Sequence, residues 1–268
     1  MRPLFLLHVL FVILAETATA TAHLDIVGGT EATVGKSLYL VSIHWGTVVD
    51  GPKTRLCSGM LITPTVVLTA AHCLYKWPLM AAIGSHFTSG TVGGERIAAR
   101  LATQHPAYNS STNDFDVGVL ELTRPSRIRP VNISWALDIP VGTSATVRGF
   151  GKTNATLGTD ATVLMETTTQ IQSPAHCGMN NATSKTVLCV DGKQGVVCGG
   201  DSGGPLTILD ANNVELLIGI TSWGSLGCNS YTGSARVAAA RSFIQGFFNA
   251  ADYSLPPLPP ARQNGRPQ

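Results

Sequence analysis

The chain has 268 residues, a formal net charge of +2 and only 13% charged residues, well under the roughly 25% of an average soluble domain. Such near-neutrality leaves no electrostatic footprint for nucleic acid or for an anionic membrane surface, so both are excluded as partners. The length suits one sizeable domain or two small packed barrels, with Thr, Ser, Asn and Gly carrying the polar surface.

Taken in order, the chain starts with Arg2, an apolar run over residues 4–15 and small residues over 17–22. A basic start, an apolar core of about 12 residues and A-x-A sites predict a secretory signal peptide over 1–22. The run is too short to span a bilayer. Residues 23–25 then form a short propeptide, and the mature protein is expected to be secreted, extracellular, soluble and monomeric. In that compartment the cysteines at Cys57, Cys73, Cys177, Cys189, Cys198 and Cys228 read as disulfides. Spacing alone does not choose their pairing, and no C-x-x-C pair suggests zinc. Asn-x-Ser/Thr sequons at Asn109, Asn132, Asn154 and Asn181 predict exposed positions and candidate glycosylation.

From Ile26 onward, short runs of strand formers recur at intervals of about ten residues. They fall at 38–45, 58–62, 66–69, 97–102, 117–122, 144–148, 187–190, 216–222 and 234–237. Many short strands bounded by turn residues predict an all-β sandwich or barrel. A helix is predicted over 240–249, where Phe243, Ile244, Phe247 and Phe248 share one face. A domain boundary is placed near 135–140, giving units at 26–136 and 137–250. The proline-rich residues 251–268 read as an extended, disordered tail.

The chemistry centres on Cys198-Gly-Gly-Asp-Ser-Gly-Gly-Pro205. A serine hydroxyl is a weak nucleophile at neutral pH and needs a base and a site for negative charge. The glycines let the backbone turn tightly and aim N–H groups into one concavity. Gly200 and Ser202 are therefore the candidate oxyanion-hole donors. The same stretch fits the G-x-S-x-G elbow of α/β-hydrolases, but that fold places its histidine after the serine. All seven histidines here precede Ser202, so the base must come from upstream.

Two upstream segments supply partners: Thr69-Ala-Ala-His-Cys73 and Asp116-Val-Gly-Val-Leu120. With I-V-G-G-T-E-A from Ile26, G-D-S-G-G-P from Gly200 and S-W-G from Ser222, the chain resembles the chymotrypsin/trypsin family of serine endopeptidases over about 26–249. The resemblance implies two packed six-stranded antiparallel β-barrels with a C-terminal helix. It implies that His72 is the general base, that Asp116 orients it and that Ser202 is the nucleophile. Asp114 is the competing acid, but no apolar strand follows it directly. His44, His86, His105 and His176 are read as structural or surface residues.

The family pattern further implies disulfides Cys57–Cys73, Cys177–Cys189 and Cys198–Cys228. It implies activation by cleavage before Ile26, the new amino group pairing with Asp201. Asp25 stands where family zymogens carry Lys or Arg, which argues against trypsin-like activation and leaves aminopeptidase trimming or an acid-directed protease as routes. Val196 falls at the floor of the primary specificity pocket, and Ser222, Trp223 and Gly224 form its wall. Valine cannot pair with a substrate cation, so cleavage after apolar residues is expected rather than after Lys or Arg. Whether Thr232, Gly233 or Ser234 lines the pocket decides between an elastase-like and a chymotrypsin-like slot. Protein or peptide substrates and protein protease inhibitors are the implied partners. No cofactor is expected, and no metal either: Glu95 is the one acid between Gly84 and Arg96, too few oxygen ligands for calcium. The alternative function is a catalytically silent family member acting as a secreted binding or inhibitory protein.

Overall fold

A computed structural model of the chain describes residues 26, 28–50, 54–153, 158, 160–179, 185–193, 195 and 197–248. The expected signal peptide over 1–22, the expected propeptide over 23–25, the proline-rich residues 251–268, Asn154, Asn181 and Val196 lie outside the described residues. In chain order the strands are β1 (Thr30–Glu31), β2 (Leu40–Trp45), β3 (Arg55–Thr63), β4 (Val66–Thr69), β5 (Leu79–Ile83), β6 (Glu95–Gln104) and β7 (Gly118–Leu122). There follow β8 (Asn132–Ile133), β9 (Ser144–Gly149), β10 (Met165–Gln172), β11 (Val187–Asp191), β12 (Pro205–Leu209), β13 (Glu215–Gly224) and β14 (Tyr231–Arg236).

Two closed antiparallel barrels result. The first closes in the order β2-β3-β4-β7-β6-β5, with β5 returning to β2. The second closes as β10-β11-β14-β13-β12-β9, with β9 returning to β10. This is the two-barrel architecture expected from the family pattern. Closure removes the open sheet edges that would otherwise offer unpaired N–H and C=O groups.

The local reasons are visible strand by strand. In β10, Met165, Thr167, Thr169 and Ile171 are buried while their neighbours are not, the period of two that one buried face imposes. In β3, every residue from Cys57 to Thr63 is buried. One apolar cluster joins Leu40, Leu61, Leu68 and Leu120 of the first barrel to Phe150, Ile220 and Ile244 beyond it. Each such apolar side chain contributes about 1.5–3 kcal/mol by leaving water. The second barrel has its own cluster around Val147, Ile171, Leu188, Leu206 and Ile218.

Two short strands bridge the halves. β1 pairs with β10, and β8 runs parallel to β13, so both precede residue 136 in sequence yet join the second barrel. The C-terminal helix α1 spans Arg241–Gln245, shorter than the predicted 240–249. A 3-10 turn over Val237–Ala240 leads into it, and Gly246, a poor helix former by about 1 kcal/mol, follows it. Ile244 is fully buried, and the Phe243 and Phe247 rings meet edge-on at 5.1 Å. No described helix is long and apolar enough to cross a membrane.

Candidate active site

His72 sits in a 3-10 turn, Ala71–Cys73, directly after β4. The Cys57–Cys73 disulfide ties that turn to β3, and the Gln104 amide donates to Ala71 O at 2.8 Å. Asp116 begins the segment leading into β7 and is completely buried. Its Oδ1 accepts the His72 backbone N–H at 2.9 Å, and its Oδ2 faces His72 Nδ1 at 2.7 Å. Ser222 donates its hydroxyl to the same Oδ2. Two contacts from one residue fix both the position and the ring orientation of the imidazole. Asp114 goes elsewhere, accepting from Thr112 Oγ1 at 2.8 Å and Thr186 Oγ1 at 2.6 Å.

Ser202 lies in the loop between Cys198 and β12. Its carbonyl accepts Ser58 N–H at 2.8 Å, which docks the loop on β3. Gly203, at φ +80°, must be glycine: a Cβ there would lie 2.2 Å from Ser58 O. Gly200 has φ +101°, a conformation that L side chains rarely adopt. Among the described residues, neither the Gly200 nor the Ser202 amide donates a hydrogen bond. Both are therefore spare for an anion. No hydrogen bond joins Ser202 Oγ to His72 among the described residues.

Beside Ser202 opens a cavity of about 170 Å³ lined by Val197, Ser222, Trp223, Gly224 and the Cys198–Cys228 disulfide. No carboxylate is among its described lining residues. Gly224 sits at its wall; a Cβ there would lie 3.9 Å from Val197 Cγ2. Thr232, Gly233 and Ser234 are all buried, and none lines the cavity among the described residues. Instead Thr232 pairs with Gly224, and Gly233 with Trp223. A larger hollow of about 370 Å³, between Tyr39, Arg129 and Glu215, presents no nucleophile and base together.

Behind the loop, Asp201 is fully buried. It accepts N–H bonds from Gly151 at 2.8 Å and Cys198 at 2.9 Å. Burial raises its carboxyl from 3.8 to about 6, while those two N–H groups and the Arg55 cation pull it back down. Ile26 is fully buried and packs with Ala161 and Met165. Ala161 N–H in turn bonds Gly151 O at 3.0 Å.

The other histidines have separate duties. His44 is buried against Ser42 and Thr54. His86 faces Glu31 at 2.7 Å, and His105 stacks on Phe115 at 4.4 Å. His176 meets the Tyr231 edge at 6.3 Å. The remaining disulfide joins Cys177 to Cys189. Cys57, His72 and Cys73 are close enough to suggest a metal cluster, but both sulfurs are in a disulfide and offer no thiolate. Glu95 is occupied by Arg127 N–H at 3.1 Å and Arg124 at 3.7 Å. Of the sequons, Asn109 and Asn132 are exposed.

Sequence reasoning missed three supports: Ser58, Arg55 and the link from Ser222 to Asp116. Each is a contact between residues more than 100 positions apart (Ser58–Ser202, Arg55–Gly200, Ser222–Asp116), and no spacing within one segment encodes it.

Comparison with known proteins agrees with the fold. The family model described as Trypsin matches residues 26–244. Glucanase inhibitor protein 3 of Phytophthora infestans is 33% identical over 242 residues, covering 86% of this chain and 92% of that protein. Transmembrane protease serine 9 of Rattus norvegicus is 33% identical over 237 residues, which is 82% of this chain but 21% of that protein. The structure of Vibrio cholerae VesB protease superposes with a TM-score of 0.69 at 25% identity, covering 82% of this chain and 67% of that one. A family match that starts at Ile26 and takes in both barrels, together with this shared architecture, places the chain in the trypsin family.

Proposed function

We propose that this protein is a secreted serine endopeptidase acting through an acyl-enzyme. The observation that carries this is the joint geometry of His72 held by Asp116 and Ser202 beside two spare amides. Ser202 Oγ attacks the substrate carbonyl, and its proton passes to His72 Nε2. The Gly200 and Ser202 N–H groups take the oxyanion charge. His72 then returns the proton to the leaving amine, and water hydrolyses the ester by the same route. Asp116 holds the ring and stabilises the imidazolium. Binding alone requires none of this arrangement.

The apolar P1 preference is supported by a cavity with no carboxylate among its described lining residues. A buried substrate cation there would lack a partner. The open wall at Gly224 favours Phe, Tyr, Leu or Met. Activation by release of Ile26 is supported by the raised affinity of Asp201 for a proton in the uncleaved chain. A new amino group would neutralise that buried charge.

A second reading has its own support. Several relatives at 30–33% identity, spanning most of this chain, bear the name glucanase inhibitor protein. On that reading the surface binds a secreted glucanase and the triad is unused. One experiment separates the two. Protein starting at Ile26 is assayed on peptides differing only at P1 (Phe, Leu, Ala, Arg), beside Ser202→Ala and with labelling by an organophosphate-type reagent. Ser202-dependent cleavage after Phe or Leu supports the peptidase; an Arg preference overturns the pocket assignment. No labelling and no cleavage, with inhibition of a glucanase retained in Ser202→Ala, establishes the binding protein instead.

A further inference from the structure

The peptide plane between Gly200 and Asp201 sits between the two spare amides, those of Gly200 and Ser202. A peptide unit is rigid, so its orientation constrains the direction of the N–H on either side. Glycine is the most conformationally free residue, so Gly200 does not fix that plane by itself. Something outside the loop must hold it.

The holding groups are visible. The Gly200 carbonyl accepts from Arg55 Nη1 at 3.2 Å and from Ser58 Oγ at 3.3 Å. The N–H at the other end of the plane, on Asp201, donates to Cys198 O at 3.1 Å. The guanidinium is in direct contact with the loop, for a Cβ on Gly200 would fall 2.7 Å from Nη1. Arg55 is itself braced: Nη2 pairs with Asp160 at 3.4 Å, and its side chain is 6% exposed against 43% for Asp160. Burying a guanidinium is costly. Its Nε–H is also buried without a partner among the described residues, so part of its desolvation is left uncompensated. A planar, multi-donor cation suits the simultaneous grip of a carbonyl and a carboxylate.

We infer that Arg55 is a positioning residue for the oxyanion donors, its guanidinium locking the Gly200–Asp201 peptide plane from behind while Asp160 braces it. This rests on the endopeptidase reading for its effect on rate, though not for its effect on the loop.

The test uses the protein starting at Ile26 with Arg55→Gln, Arg55→Lys and Asp160→Asn. Hydrogen exchange by NMR reports the plane directly through the Asp201 amide, and hydrolysis of a Phe peptide reports the donors. In Arg55→Gln the Asp201 amide should exchange at least about tenfold faster while the amides of β4 and β13 keep their protection. Its kcat should fall by about 10- to 100-fold, near the loss of one oxyanion donor, with KM within about twofold. Arg55→Lys should recover part of both, and Asp160→Asn should move both in the same direction by less. Unchanged Asp201 exchange and unchanged kcat in Arg55→Gln overturn the inference. Should that variant not fold, Asp160→Asn decides, since Asp160 is half-exposed; no change in its Asp201 exchange also overturns it. If the parent shows no Ser202-dependent hydrolysis, the endopeptidase reading fails, and the exchange result still decides the role of Arg55.

Discussion

Ser222 Oγ and His72 Nδ1 converge on the same carboxylate oxygen, Oδ2 of Asp116. The other oxygen takes the His72 backbone N–H. Three donors on one completely buried carboxylate leave it facing the ring in one orientation only. Ser222, expected from sequence as a wall of the specificity pocket, thus also steadies the acid behind His72. Asp116→Asn should lower kcat by about 10⁴, as loss of the correct tautomer does in the reference member of this family. Ser222→Ala removes one of three donors and should lower kcat by about tenfold. Steady-state kinetics on one peptide checks both; equal losses would mean that Ser222 sets the ring as firmly as Asp116 does.

Asp201 gives the uncleaved chain a pH signature. Its carboxyl titrates at about 6 in the folded chain against an ordinary 3.8, chiefly because it is buried. Between those values the folded state binds more protons than the unfolded one. Stability contributed by this group is therefore present in full below about pH 4 and is lost as pH rises to about 6, by roughly 3 kcal/mol. Denaturant midpoints of the uncleaved chain should show this fall, and Asp201→Asn should lack it. In protein starting at Ile26 the fall should shrink, because an amino group then shares the site. Identical profiles for the two forms would contradict the activation proposal.

Trp223 and Gly233 face each other across β13 and β14. A Cβ on Gly233 would lie 2.2 Å from Trp223 Cε2. Gly233→Ala must therefore push the indole away from β14 and off its edge contact with Tyr231 at 6.1 Å. Because Trp223 lines the cavity, KM for Phe and Leu peptides should rise by about tenfold or more, with a smaller change in kcat. Unchanged KM would show that the indole has room to move without narrowing the pocket.

Arg148, 3% exposed, holds two acids at once: Glu166 at 2.8 Å, and Glu215. It also reaches Tyr39 Oη at 3.4 Å and Thr207 Oγ1 at 3.3 Å. Arg148→Met leaves both carboxylates short of a counter-charge and should destabilise the fold by about 3–5 kcal/mol. Neutralising the acids in the same protein, with Glu166→Gln and Glu215→Gln, should restore most of that loss. Thermal melts of the two variants measure the difference.

Much of this was legible because it is local. Ten-residue strand spacing predicts an all-β fold, and Thr69-Ala-Ala-His-Cys73, Asp116 and Gly200-Asp-Ser-Gly-Gly204 each carry their chemistry in one short segment. The helix was overextended because the apolar pattern of Phe243, Ile244, Phe247 and Phe248 continues past Gly246, whereas α1 ends at Gln245. Strands β1 and β8 have two residues each, too few to show a period. The choice among Thr232, Gly233 and Ser234 at the pocket depended on register, and β13 and β14 shift register between Thr221 and Trp223. Arg55 was invisible because its partner lies 145 positions away.

The pairing of Thr30 with Glu166 in β1 and β10 has a kinetic corollary. A chain end created at Ile26 would be leashed four residues from a fixed point on the second barrel, a reach of at most about 14 Å. The freed amine would never diffuse away, and its local concentration near Asp201 would be set by that leash rather than by the amount of protein in solution. Ordering after the cut would then be first-order, with a rate the same in dilute secretion as at high concentration.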